Sequence, residues 1–354
     1  MASRWGAGVG LVAGIAALAA GGVAVGLELE RRLVNKRIQA RDDADDEQFF
    51  GLRSAGPDVT TADGVVLHTE VDDVPDSDLT VVWVHGYALS LDCWHFQRKH
   101  FRGPGTDRPV RQVLYDQRSH GRSGRSAPEH CRITQLGEDL LQVLDEIAGD
   151  GPLVLVGHSM GGMTVMELAR AHPELFGSRI RGVGFFCTSA GEMADHSPIR
   201  GLPGRTFSRL APPLMATLNR IPEVVSKARS AGSDLGFVVT RRMAYGSDVP
   251  NSYVEFATQM LAETSLDVVA DFYPAFAELD EYEAMASLAH IPTAVVGGED
   301  DVITPVEHTE RIIDLLPTAD AHILPECGHL GMIEHHDQFN AVVEHLLARV
   351  RAQL

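Results

Sequence analysis

Beyond about residue 50, short apolar runs alternate along the chain with stretches of helical period. Val81-Val82-Trp83-Val84, Val113-Leu114-Tyr115 and Leu153-Val154-Leu155-Val156 are continuous apolar segments. Val183 to Cys187, Thr293 to Val296 and Ala321 to Leu324 are similar runs further on. Their length and β-branched content predict strands buried on both faces. Between them, Leu136, Leu140, Val143, Leu144 and Ile147 recur on one helical stripe. Thr304-Pro305-Val306-Glu307 predicts a helix start, with a capping Thr, a Pro at the first position and a Glu three after the cap. Strands and helices in alternation predict a mostly parallel sheet with helices on both faces. The stretch at about 191–290 breaks this rhythm with mostly helical patterning and several prolines. It is expected to be a helical cap inserted over the sheet.

The N-terminus has another pattern. From Trp5 to Leu27 run 23 residues without a charge, seven of them Gly and seven Ala. As a helix this stretch would reach roughly 34 Å, enough for a hydrocarbon core of ~30 Å. A retained transmembrane segment is therefore expected within residues 1–30, followed by a charged linker at 31–50 and the folded domain at 51–354. Arg31, Arg32, Lys36, Arg37 and Arg41 follow the span while only Arg4 precedes it, which would keep residues 51–354 on the cytoplasmic side. Gly6, Gly10 and Gly14 share a helix face and could pair two spans into a homodimer. The alternative is export after cleavage at the small residues Ala17-Leu18-Ala19. Residues 42–47 carry five negative charges in six positions and read as solvated linker.

Composition narrows the function. The 354 residues are 44% hydrophobic and 22% charged, ordinary for a globular protein. Lys and Arg number 30 against 49 Asp and Glu, a net charge of -19 that disfavours a nucleic-acid partner. Cys93, Cys131, Cys187 and Cys327 are too sparse for a disulfide scaffold and lack C-x-x-C spacing. They read as free thiols. No metal or cofactor is expected.

The chemistry enters at Gly157-His158-Ser159-Met160-Gly161, directly after a predicted strand and before the helical run Met163 to Ala171. A G-x-S-x-G in that context describes a nucleophile elbow, in which a tight turn holds the Ser hydroxyl clear of the sheet at a helix N-terminus. A serine needs a base in reach, and the base needs an orienting acid. Both follow in the order the architecture requires: Asp300 or Asp301 after one strand, then His329 after the last. His85 and His158 flank the motif and read as structural. His335 and His336, with Glu334, begin a helix with adjacent side chains pointing apart and read as a solvated face.

With these motifs in hand, the chain resembles the α/β-hydrolase superfamily, in its capped serine esterase and lipase branch. The matches run in order over roughly residues 60–350: His85-Gly86-Tyr87, Asp116-Gln117-Arg118-Ser119-His120-Gly121-Arg122-Ser123, the elbow, Asp301 four residues before Pro305, and Gly328-His329. Ser119 departs from the family, which usually has Gly there. The resemblance implies Ser159 as nucleophile, His329 as general base, Asp301 as the acid that holds it, and the backbone N–H groups of Tyr87 and Met160 as oxyanion hole. The expected activity is cleavage of carboxylic esters through an acyl-enzyme, with a small-molecule substrate bearing an apolar acyl group. Thioesterase or acyltransferase chemistry would use the same triad. A non-hydrolytic ligand-binding member of the fold is the alternative of another class. Leu210, Leu214, Met215, Leu218, Ile221, Val224, Phe237, Val238 and Met260 are numerous enough to line an acyl pocket or to seal the cap.

Overall fold

A computed structural model of the protein describes residues 47–103, 106, 108–196, 204–206 and 234–354. The apolar runs become the strands β3 (Thr69–Asp72), β4 (Thr80–Val84), β5 (Arg111–Tyr115), β6 (Leu153–His158), β7 (Ile180–Phe186), β8 (Thr293–Gly298) and β9 (Asp320–Leu324). Ahead of them, β1 (Val59–Thr60) and β2 (Val66–Leu67) form a small antiparallel pair. The seven strands lie in the order β3-β5-β4-β6-β7-β8-β9, and only β3 runs antiparallel to its neighbour. In this α/β-hydrolase fold the helices are α1 (His95–Arg102), α2 (Ile133–Ile147), α3 (Met160–Ala171), α4 (Asp234–Ala244), α5 (Asn251–Glu263), α6 (Leu266–Ala277), α7 (Met285–Leu288), α8 (Val306–Leu315), α9 (Gly331–Glu334) and α10 (His336–Arg351).

The period of two along each strand divides the core into two layers. Val81, Trp83, Val154 and Val156 face one layer with Phe101 of α1 and Val343 and Leu346 of α10. Val82, Val84, Val113 and Leu155 face the other with Leu140, Val143 and Leu144 of α2 and Val165 and Leu168 of α3. All five residues of β4 are buried, which is why the strand reads as an unbroken apolar run. Central β6 runs out of this core straight into α3.

The edge strand β3 is held differently. Its Glu70 and Asp72 are buried and grip Arg98 of α1, with Nη1 2.6 Å from Glu70 Oε2 and Nε 2.7 Å from Asp72 Oδ2. Burial raises both carboxyl pKa values, yet hydrogen bonds and the facing guanidinium outweigh it and hold both below the usual range.

Three expectations change. The predicted cap of α8 shifts by one residue: Pro305 is the N-cap, and the Thr304 hydroxyl turns instead to Asp301 Oδ2 at 2.8 Å. Glu47–Phe50, expected at the end of the charged linker 31–50, packs on the domain. Phe49 stacks on Phe256 of α5 at 4.2 Å, and Glu47 pairs with His95 and Lys99 of α1. The expectation of a single-pass membrane protein is also corrected. Among the described residues no helix is long and apolar enough to cross a membrane. The longest, α10, has 16 residues, about 24 Å of helix against a core of ~30 Å. The expected span at 5–27 lies outside the described residues. Among the described residues, membrane attachment, pairing through a span and the cytoplasmic orientation derived from it have no helix to rest on.

Candidate active site

The elbow begins where β6 stops. Ser159 has φ 51° and ψ −120°, a left-handed conformation that a residue with a side chain rarely adopts. Its N–H donates to Phe186 O on β7 at 3.0 Å, and its carbonyl accepts from the Thr188 hydroxyl at 2.7 Å, so neighbouring chain fixes the strained turn. Gly161 is required by close approach: a Cβ there would fall 2.0 Å from the Val84 carbonyl oxygen. The turn can therefore lie flat against the end of β4. Met160, fully buried, opens α3, where the first N–H groups of a helix have no partner within it.

His329 lies in the loop between β9 and α9. Its Nδ1 is 2.9 Å from Asp301 Oδ2 and 3.1 Å from Oδ1. Asp301 is buried and its carboxylate is saturated. Oδ1 accepts from the N–H groups of Ile303 and Thr304 at 2.8 and 2.9 Å, and Oδ2 from the Thr304 hydroxyl. Burial raises the Asp301 pKa, but the His329 ring and these donors prevail and hold the carboxyl below its ordinary value. Asp300, its neighbour, is exposed, and its N–H donates to Cys327 O at 3.0 Å. Of the two acids, Asp301 meets the imidazole.

His158 links His329 to the elbow. The two rings are 4.8 Å apart, and His158 Nε2 is 2.8 Å from His329 O. A carbonyl can only accept, so Nε2 carries the proton and Nδ1 is bare. Gly86 fills the space beside that bare nitrogen. A Cβ on Gly86 would lie 2.6 Å from His158 Nδ1 and 3.1 Å from Ser159 Cβ. The loop after β4 thereby reaches the Ser159 side of the elbow, with Tyr87 next in line. The Tyr87 ring packs edge-on against Phe276 of α6 at 4.9 Å, and its hydroxyl donates to Val269 O. His85 braces the same loop: Nδ1 bonds Gly86 O at 2.8 Å and Nε2 accepts from Gln117 N–H at 2.8 Å. Burial pushes the pKa values of His85 and His158 down to about 3, so both rings stay neutral. Both histidines thus bond backbone groups of the loops around the elbow.

Several supports carry no signal of this role in the sequence. The motif predicts Thr304 as a helix cap, and its hydroxyl instead binds Asp301. Gln117 joins the loop after β4 to α3, donating to His85 O at 2.6 Å and accepting from the Thr164 hydroxyl at 2.9 Å. Beside the elbow, Met160 and Met163 pack with Val268 and Phe272 of α6 in a separate apolar cluster. Of the expected pocket-lining positions, those from Leu210 to Val224 lie outside the described residues. Met260 is buried in the core layer and Phe237 packs on its rim.

A family model described as the alpha/beta hydrolase family matches residues 81–342. The chain belongs to this family. Among its curated relatives, a 2-hydroxy-6-oxo-6-(2'-aminophenyl)hexa-2,4-dienoic acid hydrolase of Metapseudomonas resinovorans is 25% identical over 245 residues, 68% of this chain and 76% of that one. A non-heme chloroperoxidase of Burkholderia pyrrocinia is 27% identical over 84% of this chain and all of that one. Among solved structures, a thermophilic esterase from Thermogutta terrifontis superposes with a TM-score of 0.63 at 22% identity, covering 83% of this chain and 98% of that one. That likeness bears on the fold. The sequence relatives support a hydrolase.

Within the alpha/beta hydrolase family, the departure at Ser119 has a visible consequence. Ser119 sits at φ 66°, a conformation that favours glycine. Its hydroxyl oxygen accepts from Ser126 N–H at 2.9 Å, which helps hold the turn where the family usually places Gly. The four cysteines are free and buried, in line with their sparse spacing. Cys327, Glu334 and His335 bring their donor atoms within 4.8 Å of one another. His335 Nε2 bonds Glu326 O and must therefore be protonated, and Glu334 is engaged by backbone N–H groups. Both Glu334 oxygens are thus already used by the protein itself.

Proposed function

We propose that the protein is a serine hydrolase of carboxylic esters working through an acyl-enzyme. The observation that carries the reading is the His329–Asp301 hydrogen bond, set against an elbow that holds Ser159 in a strained left-handed turn. In this mechanism Asp301 keeps the proton of His329 on Nδ1, leaving Nε2 free to act as base. Ser159 Oγ attacks the ester carbon as Nε2 takes its proton. The tetrahedral oxyanion is held by the N–H groups of Tyr87 and Met160; one such donor is typically worth ~3 kcal/mol of barrier. Collapse breaks the C–O bond, and the imidazolium returns the proton to the departing alcohol. Water, deprotonated by His329, then attacks the acyl-enzyme, releasing the acid and restoring Ser159. The apolar cluster of Met160, Met163, Val268 and Phe272 suits an apolar acyl group.

The test is labelling by a fluorophosphonate probe mapped to Ser159, followed by turnover of p-nitrophenyl esters of increasing acyl length. Ser159→Ala should abolish labelling and lower turnover by several orders of magnitude. An unlabelled wild type, or a variant that hydrolyses esters as well, would refute the reading. The relatives named as hydrolases of 2-hydroxy-6-oxo-dienoates favour a second one, hydrolysis of such a compound with the same residues. Loss of the conjugated chromophore of 2-hydroxy-6-oxo-6-phenylhexa-2,4-dienoate would report it, and that substrate turning over faster than every ester would put it first.

A further inference from the structure

Glu334 stands five residues after His329, at the end of the single-turn helix α9. Its carboxylate gathers three backbone donors from two distant parts of the chain. Oε2 accepts from Gly328 N–H at 2.7 Å and from Gly246 N–H at 3.2 Å, while Oε1 accepts from Ser247 N–H. Gly328 immediately precedes His329. Gly246 and Ser247 belong to the segment that leaves α4, in the insertion between β7 and β8. The carboxylate is thus the joint between the histidine loop and that insertion.

The surfaces around the joint leave no slack. A Cβ on Gly246 would lie 2.8 Å from Cys327 N and 2.9 Å from Asp300 Cβ, so this segment passes against both the histidine loop and the acid loop. A Cβ on Gly328 would lie 2.6 Å from Ala244 O. Leu330, on the other side of His329, donates its N–H to the same Ala244 carbonyl at 2.9 Å. His329 is therefore flanked on both sides by contacts to 244–247, and Glu334 supplies the charge-assisted hydrogen bonds among them. Asp301 fixes the ring's rotation and His158 Nε2 holds the His329 carbonyl, while the contacts to 244–247 hold the backbone on either side of it.

We propose that Glu334 is a positioning residue for the proposed hydrolysis: its carboxylate seats the His329 backbone by clamping the loop to Gly246 and Ser247. The inference rests on the serine-hydrolase reading. Because the clamp also holds the segment leaving α4, a shift of the insertion would be passed to the imidazole through this carboxylate. Glu334→Gln keeps the volume but replaces one acceptor oxygen with an N–H₂ group. Whichever oxygen is replaced, at least one backbone N–H then faces a donor. A displacement of the base by a fraction of an ångström to 1 Å can cost up to about 100-fold in rate.

The experiment compares full-length wild type and Glu334→Gln by active-site titration with the fluorophosphonate, labelling rate, kcat and KM for p-nitrophenyl acetate, and thermal melting. Expected are a fall of about 10- to 100-fold in labelling rate and in kcat per titrated site, with KM within about twofold because the ester-binding surfaces are untouched. A merely structural role would lower the melting temperature or the titratable fraction while leaving kcat per site unchanged, and that result overturns the proposal. Gly246→Ala, which wedges the same joint with the carboxylate intact, decides the matter if Glu334→Gln does not fold; an unchanged kcat per site in that variant overturns the proposal too. A wild type that the probe does not label would refute the serine reading, whereas equal labelling rates in wild type and variant would refute the role of Glu334 alone.

Discussion

Replacing Asp301 by Asn separates the two adjacent acids and tests what the carboxylate does. Oδ1 of Asp301 accepts two backbone N–H groups, from Ile303 and Thr304. An amide nitrogen there would leave both donors unpaired in a buried site, at about 1–3 kcal/mol each. The amide oxygen should therefore take the place of Oδ1, and the NH₂ group the place of Oδ2. That second position faces the Thr304 hydroxyl, which can rotate to accept, and His329 Nδ1 at 2.9 Å. An NH₂ group can only donate to Nδ1, so the imidazole proton moves to Nε2. The nitrogen that receives the Ser159 proton in the proposed mechanism is then occupied. Such a tautomer reversal costs ~10⁴-fold in kcat with the geometry intact, which is about 5 kcal/mol of barrier. The assay is kcat for a p-nitrophenyl ester, normalised to folded protein by circular dichroism and melting. Asp300→Asn is the control, since its side chain is exposed and its backbone bond to Cys327 survives the substitution; kcat should stay within about twofold, as for most exposed substitutions. A Asp301→Asn variant that retains a tenth or more of wild-type kcat, or an equal loss from Asp300→Asn, would refute the reasoning.

Two further outcomes concern stability. Burial and the neighbouring Glu167 push the Glu281 pKa up to about 8, with Arg170 Nε 3.3 Å away as partial compensation. The folded chain then holds a proton that the unfolded chain has already released, so stability should fall as pH rises from about 4.5 to 8. Glu281→Gln, which imitates the protonated form, should gain on wild type across that window in urea midpoints; a difference that is flat with pH would refute the assignment. Phe49→Ala removes the ring stacked on Phe256, and a partly buried aromatic should cost about 2 kcal/mol. An unchanged urea midpoint would mean that Glu47–Phe50 does not strap α5 to α1.

What could be read from the chain follows from which interactions are local. The central strands β4 to β8 announce themselves because burial on both faces demands continuous apolar residues, and the stripe from Leu136 to Ile147 because α2 covers one of those faces. Edge strand β3 is silent, since its apolar content is Val71 alone, packed on the core, while its buried Glu70 and Asp72 bind Arg98. The elbow is legible for a related reason: its strained turn and its proposed chemistry occupy the same five residues, so one motif states both. Glu334 shows the converse. Beside His335 and His336 it reads as one more polar residue on a solvated face, and the adjacent spacing gives no hint of a shared task. Its meaning comes from Gly246 and Ser247, which lie 88 and 87 residues away in sequence. Both present only backbone N–H groups to it, and a backbone donor has no side-chain signature. The supports of the proposed base are therefore hidden from the sequence where they are made of main chain, and Thr304, whose hydroxyl was expected to cap a helix and instead binds Asp301, shows that even a legible side chain can be claimed by a neighbour in space.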